Sequence, residues 1–190
     1  MARNGNPTRR RQVMTAAAEE FAAKGYTLTS YGSIAERLGL QRTVVQNYIS
    51  SKAELAAEIA WAPFRTGKFL GPDGELGEGI TGILDLVTHV AEHYVSDVSA
   101  RASIRLMSER DVIPAELPIP FEGWLVVMER MLGDAVAAGE LPPDADVELI
   151  AHSLVATFEG SRRVAEARGR RARLPEYTRR TAEYVLRGAS

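Results

Sequence analysis

At 190 residues, 45% of them hydrophobic, the chain has apolar mass for one large or two small globular domains. It contains no cysteine, which excludes a disulfide framework and a thiolate site. No apolar run is long enough to span a membrane, and MARNGNPTRRR lacks the hydrophobic region of a signal peptide, so a cytoplasmic protein with no membrane partner is expected.

The net charge of −2 hides an asymmetry. Residues 1–52 carry eight Lys/Arg against three Asp/Glu, residues 53–161 six against nineteen, and residues 162–190 nine against three. A basic head on an acidic body suits a DNA-facing segment joined to a ligand- or partner-facing one. The expected division is a DNA-binding domain at 1–52, with a basic N-terminal arm, and a ligand-binding and dimerisation domain at 53–190.

Residues 1–7 read as a flexible arm, since Asn-Gly-Asn-Pro breaks a helix; Arg3 and Arg9 to Arg11 either reach DNA or form a solvated basic tail. A first helix is predicted from Thr8 to Ala23 or Lys24, with Val13, Ala17 and Phe21 on its apolar face and Gly25 as its stop. Next come two short helices about a tight turn. Thr29 or Ser30 caps the first, Ile34, Ala35 and Leu38 turn inward, and Gly39 closes it. The second spans residues 41–48, with Val45, Tyr48 and Ile49 inward and Gln41, Arg42, Thr43, Gln46 and Asn47 outward. The outward side chains can donate to phosphates and base edges. This is a helix-turn-helix with a polar recognition face.

Ser51 or Ser50 caps the next helix, with Glu54 in capping-box position. It runs through Ala62, or past Pro63 with a kink, and ends before Gly71-Pro72-Asp73-Gly74, making a lever between head and body. The remainder reads as helices near 80–95, 100–108, 121–138, 147–168 and 175–188, with a proline-rich loop at 111–120 and a basic loop at 169–173. No strand pattern competes and no repeat is visible. The fold class is all-α: an N-terminal three-helix helix-turn-helix domain plus a helical C-terminal domain.

Three runs carry a family resemblance: F-x-x-K-G-Y at Phe21 to Tyr26, I-A-E-R-L-G at Ile34 to Gly39, and Y-I-S-S-K-A-E-L at Tyr48 to Leu55. With them, residues 9–55 resemble the DNA-binding domain of the TetR family of bacterial repressors. The resemblance implies a homodimer on double-stranded, pseudo-palindromic operator DNA, with Thr29, Gln41, Arg42, Thr43, Gln46, Asn47, Tyr48 and Lys52 as DNA-binding candidates. It places Lys52 against a phosphate, which explains a lysine in the first turn of a helix, where the dipole disfavours it. It also implies a two-fold four-helix interface built from the helices at 121–138 and 147–168.

RASIRLMSERDVIPAELPIPFEGW at Arg101 to Trp124 and DVELIAHSLVATFEG at Asp146 to Gly160 resemble the γ-butyrolactone receptors, a TetR subfamily controlling antibiotic production. In that subfamily the tryptophan matching Trp124 lies over the bound lactone. Pocket walls are then expected from Ile83, Val87 and Val90 with Thr157 and Phe158, and either Thr157 or His93 supplies a hydrogen bond. Trp61 and Phe64 either line the pocket mouth or staple the lever helix. The chain departs from the family pattern at Thr43, Gln46 and Ile49, where a small residue, a tyrosine and an aromatic are usual, so its operator sequence is expected to differ. Gln46 with Asn47 can instead read adenine through a paired donor and acceptor.

His89 and His93, four apart on one helix, have metal-ligand spacing, but no motif places a third ligand, so no metal and no cofactor are expected. Without a nucleophile elbow or a phosphate loop no catalytic residue is assigned, and the protein is expected not to be an enzyme. The alternatives within the scaffold are a pseudo-receptor sensing an antibiotic or another small apolar molecule, and a ligand-binding protein with a degenerate head. The acid-leaning charge favours a true receptor, because pseudo-receptors of this resemblance tend to be basic.

Overall fold

The structure is a computed structural model and describes residues 6–66 and 77–189. Among these residues it is all-helical, without a strand: α1 (Pro7–Leu28), α2 (Tyr31–Leu38), α3 (Arg42–Gln46), α4 (Lys52–Thr66), α5 (Gly79–Ser96), α6 (Val98–Ser108), α7 (Glu122–Ala137), α8 (Val147–Ala167) and α9 (Leu174–Gly188). Arg3 of the expected arm and the Gly71–Gly74 end of the lever helix lie outside the described residues.

Each boundary has a local cause. Asn6 caps α1 by accepting from the Thr8 and Arg9 N–H groups, and Pro7 occupies the first turn, where its missing N–H costs nothing. Helix therefore begins at the end of the expected arm. Gly25 interrupts α1 as expected, with φ 76° and ψ −177°, a conformation that only glycine adopts cheaply; the chain turns helically again to Leu28. Of the two expected caps for α2, Ser30 does the work: its hydroxyl accepts from the Ser33 N–H, and Ser33 returns the bond. Gly39, at φ 64°, closes α2 in the left-handed conformation. Ser51 caps α4 by accepting from the Glu54 N–H at 3.0 Å, and α4 continues through Pro63.

The described residues pack as two units, residues 6–66 with 97–120, and residues 77–96 with 121–189. In the first, Val13, Phe21, Ile34, Val45, Leu55 and Ile59 form one core with Ala102 and Leu106 of α6. The lever helix and α6 thus pack with the helix-turn-helix, beyond the 1–52 segment that sequence set apart. The Ser103 hydroxyl, fully buried, joins α6 to α4 by donating to the Ala60 carbonyl at 2.7 Å.

In the second unit α5 and α8 each pack on both α7 and α9. Asp146 caps α8 by accepting from the Leu149 N–H. One charge sits inside this bundle: Arg162 of α8, 8% exposed, pairs with Glu159 and Glu166 and donates to the Tyr94 hydroxyl of α5. Burial disfavours the guanidinium charge, but these partners more than offset that and raise its pKa. Burial, then the Glu166 carboxylate, push the Tyr94 phenol up to about 12. The pairing is what permits an arginine at a core position.

Candidate nucleic-acid interface and ligand site

The helix-turn-helix presents Gln41, Arg42, Thr43 and Asn47 as exposed side chains, with Gln46 and Tyr48 half-buried beside them. Val45 and Ile49, both buried, fix this face outward by anchoring α3 on the core. Two of the expected DNA-binding residues are placed elsewhere. Thr29 is 1% exposed and donates its hydroxyl to the Gly25 carbonyl at 2.7 Å, because the break at Gly25 frees that carbonyl from the helix ladder. The Lys52 ammonium donates to the Tyr26 and Thr29 carbonyls, at 2.9 and 3.1 Å, and lies 4.1 Å from the centre of the Tyr26 ring. Its hydrogen bonds go to the protein rather than outward.

The basic N-terminal residues divide likewise. Arg10 pairs with Glu58 of α4 at 2.6 Å, while Arg11 is exposed. Arg37, on α2, pairs with Glu20 at 2.7 Å and Glu19 at 3.1 Å. Glu20 is a buried carboxylate that sequence reading passed over. A signal was available: Val13, Ala17 and Glu20 continue one apolar stripe at helical spacing, and an acid on such a stripe needs a cation.

In the second unit Trp124 and Phe158 meet edge to face, with ring centres 4.6 Å apart and planes at 88°. The Trp124 Nε1–H is buried and has no hydrogen-bond partner among the described residues. A buried indole N–H without an acceptor costs about 1–3 kcal/mol, so it marks a place where an acceptor is wanted. Ile83, Val87 and Val90 lie along the buried face of α5, and Phe158 is buried on α8. Thr157 is half-buried, and its hydroxyl donates to the Ser153 and Leu154 carbonyls of its own helix, at 2.8 and 3.0 Å. A cavity of about 360 Å³ lies elsewhere in this unit, lined by Gly77, Glu78, Gly79, Arg130, Asp134 and Glu140 among others; none of the expected ligand-binding residues is in its wall. Neither group of three or more metal-ligating side chains nor a helix long and apolar enough to cross a membrane occurs among the described residues.

On α7 and α8 several large apolar side chains face solvent: Val126 at 62%, Leu149 at 59% and Val164 at 56% exposure. Gly123, Ala156 and Gly160 on the same two helices are also exposed. Large and small apolar residues together make a surface to which another helix can approach closely.

Residues 13–59 match the bacterial regulatory proteins of the tetR family, and residues 80–189 match the tetracyclin repressor-like C-terminal domain. The chain belongs to the TetR family. It is 30% identical to a solved structure described as the molecular basis for control of antibiotic production by bacterial hormones, covering 96% of this chain and 97% of that one, with a TM-score of 0.75. A γ-butyrolactone receptor described as ArpA-like is 27% identical, with 94% and 100% covered and a TM-score of 0.71. The A-factor receptor protein of Streptomyces griseus is 27% identical over 86% of the chain. The chain spans 57% of the length of that curated relative. The resemblance read from residues 9–55 and from the body is therefore met in both domains.

Proposed function

We propose that this TetR-family regulator is a homodimeric repressor, released from a pseudo-palindromic operator by a γ-butyrolactone-type signal and controlling secondary-metabolite genes. It acts in the cytoplasm, as a binder rather than an enzyme. Residues 1–52 carry DNA contact through Gln41, Arg42, Thr43, Gln46, Asn47 and Tyr48, and residues 53–190 carry ligand binding and dimerisation. The similarity to γ-butyrolactone receptors supports the ligand class.

The observation that carries the ligand half is the orphaned indole N–H of Trp124. A lactone offers what this place lacks: a carbonyl to accept from the indole and an alkyl tail for the apolar side chains around it. Trp124 and Phe158 supply the aromatic surface, Ile83, Val87 and Val90 the aliphatic one, and Thr157 stays on its own helix. Ligand binding favours a conformation of the dimer in which the two heads no longer match successive major grooves. The ligand achieves this only by binding that conformation more tightly than the operator-bound one. Among the alternatives, a degenerate head is disfavoured by the exposed polar face of α3.

The test is fluorescence anisotropy of DNA from the protein's own upstream region, with and without a panel of γ-butyrolactones. Tight, salt-sensitive binding abolished by one lactone supports the proposal. Binding that no lactone disturbs, but an antibiotic does, favours the pseudo-receptor instead.

A further inference from the structure

The turn that feeds the helix-turn-helix, residues 25–29, is held from two sides by charged groups distant in sequence. From the end of α6, a Glu109 carboxylate oxygen accepts from the Tyr26 N–H at 2.6 Å, and its other oxygen accepts from Arg105 Nε at 3.1 Å. From the first turn of α4, Lys52 donates to the Tyr26 and Thr29 carbonyls. The Thr29 hydroxyl closes the turn on the Gly25 carbonyl. Gly25 leaves room for this grip: a Cβ there would collide with the Glu109 carboxylate, and its φ of 76° already favours glycine. Tyr26 stacks on Phe21 of the core, with ring centres 6.2 Å apart. Ser30, the next residue, caps α2.

We infer that Glu109 and Lys52 are positioning residues for DNA recognition, which set the orientation of α2 and α3 by gripping the peptides of residues 25–29. The inference rests on the reading of this protein as an operator-binding regulator. The N–H of Tyr26 follows a break in the helix ladder, so it needs an acceptor from outside, and Glu109 supplies it. The Tyr26 carbonyl, which also accepts from the Thr29 N–H at 3.2 Å, and the Thr29 carbonyl are bridged by the one ammonium. Because both holding residues lie outside residues 13–38, a displacement of α4 or α6 is transmitted to the start of the recognition motif through these bonds.

The signs of the effects separate positioning from simple electrostatics. Removing an acid from a DNA-binding head should strengthen binding to a polyanion. On the positioning account, Glu109→Ala in the full-length protein instead weakens operator binding roughly tenfold, through the unpaired N–H. Glu109→Gln, which keeps an acceptor, stays within about threefold of wild type. Lys52→Met weakens binding without changing the slope of log affinity against log salt, whereas loss of a phosphate contact would lower that slope by about one. Amide hydrogen exchange supplies a readout independent of DNA: Tyr26 is protected in wild type and exchanges faster in Glu109→Ala while the rest of α1 keeps its protection. Unchanged or tighter operator binding by Glu109→Ala, or a salt slope lowered by Lys52→Met, overturns the inference. If wild type binds no upstream DNA, the operator-binding reading fails, and exchange at Tyr26 alone decides whether the grip exists.

Discussion

Arg37 of α2 reaches back to the buried Glu20 of α1, its guanidinium 2.7 Å from a carboxylate that is only 3% exposed. This bond ties the first helix of the head to the helix-turn-helix, and Lys24 of α1 itself pairs with the same carboxylate at 2.9 Å. Burial alone would raise the Glu20 pKa, but the hydrogen bonds from Lys24 and Arg37 hold it at about 2.

A folded pKa below the unfolded value means stability that is complete above pH 4.5 and lost as pH falls towards 2. The shift is worth at most about 3 kcal/mol, and the partly exposed partners reduce it to about 2 kcal/mol. Glu20→Gln is therefore expected to lower the stability of the protein by about 2 kcal/mol at pH 7, with the gap to wild type closing towards pH 2. Urea denaturation followed by circular dichroism across that range checks it; a gap independent of pH would contradict the assignment.

Trp124→Phe keeps an aromatic ring against Phe158 and deletes the indole N–H. Operator affinity is expected to stay at the wild-type level, while the lactone concentration needed for release rises about five- to tenfold, the effect of one lost hydrogen bond. Trp124→Ala should abolish the response while DNA binding survives. A Trp124→Phe protein released at the wild-type lactone concentration would show that the indole N–H is not the ligand's donor.

Each large apolar side chain left in water forgoes about 1.5–3 kcal/mol of burial, and α7 and α8 leave Val126, Leu149 and Val164 there. A dimer interface on these helices would recover that free energy. Val126→Glu with Leu149→Glu should convert the dimer to a folded monomer, read by light scattering, with loss of tight operator binding because one head engages only one half-site. A double variant that stays dimeric places the interface elsewhere.

On the recognition helix, Arg42→Ala is expected to cost about 1–3 kcal/mol of operator affinity. Substituting Gln46 and Asn47 tests base reading separately: if they read adenine as a pair, each change to Ala relaxes preference at one operator position while scrambled DNA binds as before. Competition with single-base operator variants distinguishes the two kinds of contact.

Much of the fold is legible in the sequence because its punctuation is strong. Gly25 and Gly39 occupy left-handed positions that glycine fills most readily, Ser30 and Asp146 cap helices, and the prolines of 111–120 leave only a short 3-10 turn at Arg110–Val112 before α7. The polar face of α3 follows from the burial of Val45 and Ile49. What the sequence could not give is tertiary partnership. Glu109 lies 83 residues from the Tyr26 N–H it accepts from, and no local pattern announces that bond. Thr29 and Lys52 are DNA-binding candidates by resemblance, and no local pattern announces that the Thr29 hydroxyl bonds the Gly25 carbonyl or that Lys52 bonds the Tyr26 and Thr29 carbonyls. The resemblance identified residue types at aligned positions; the bonds those residues make in this chain depended on the turn between them.

Release of a repressor by its ligand requires that the ligand bind the free protein more tightly than the operator-bound protein, by the same factor that it weakens DNA binding. The most direct test is calorimetric titration of the active γ-butyrolactone into the protein, alone and saturated with operator, beside the operator affinity measured with and without lactone. A repressor released by its ligand shows a weaker lactone affinity on DNA, with the two ratios equal. Equal lactone affinity in both states would contradict such release.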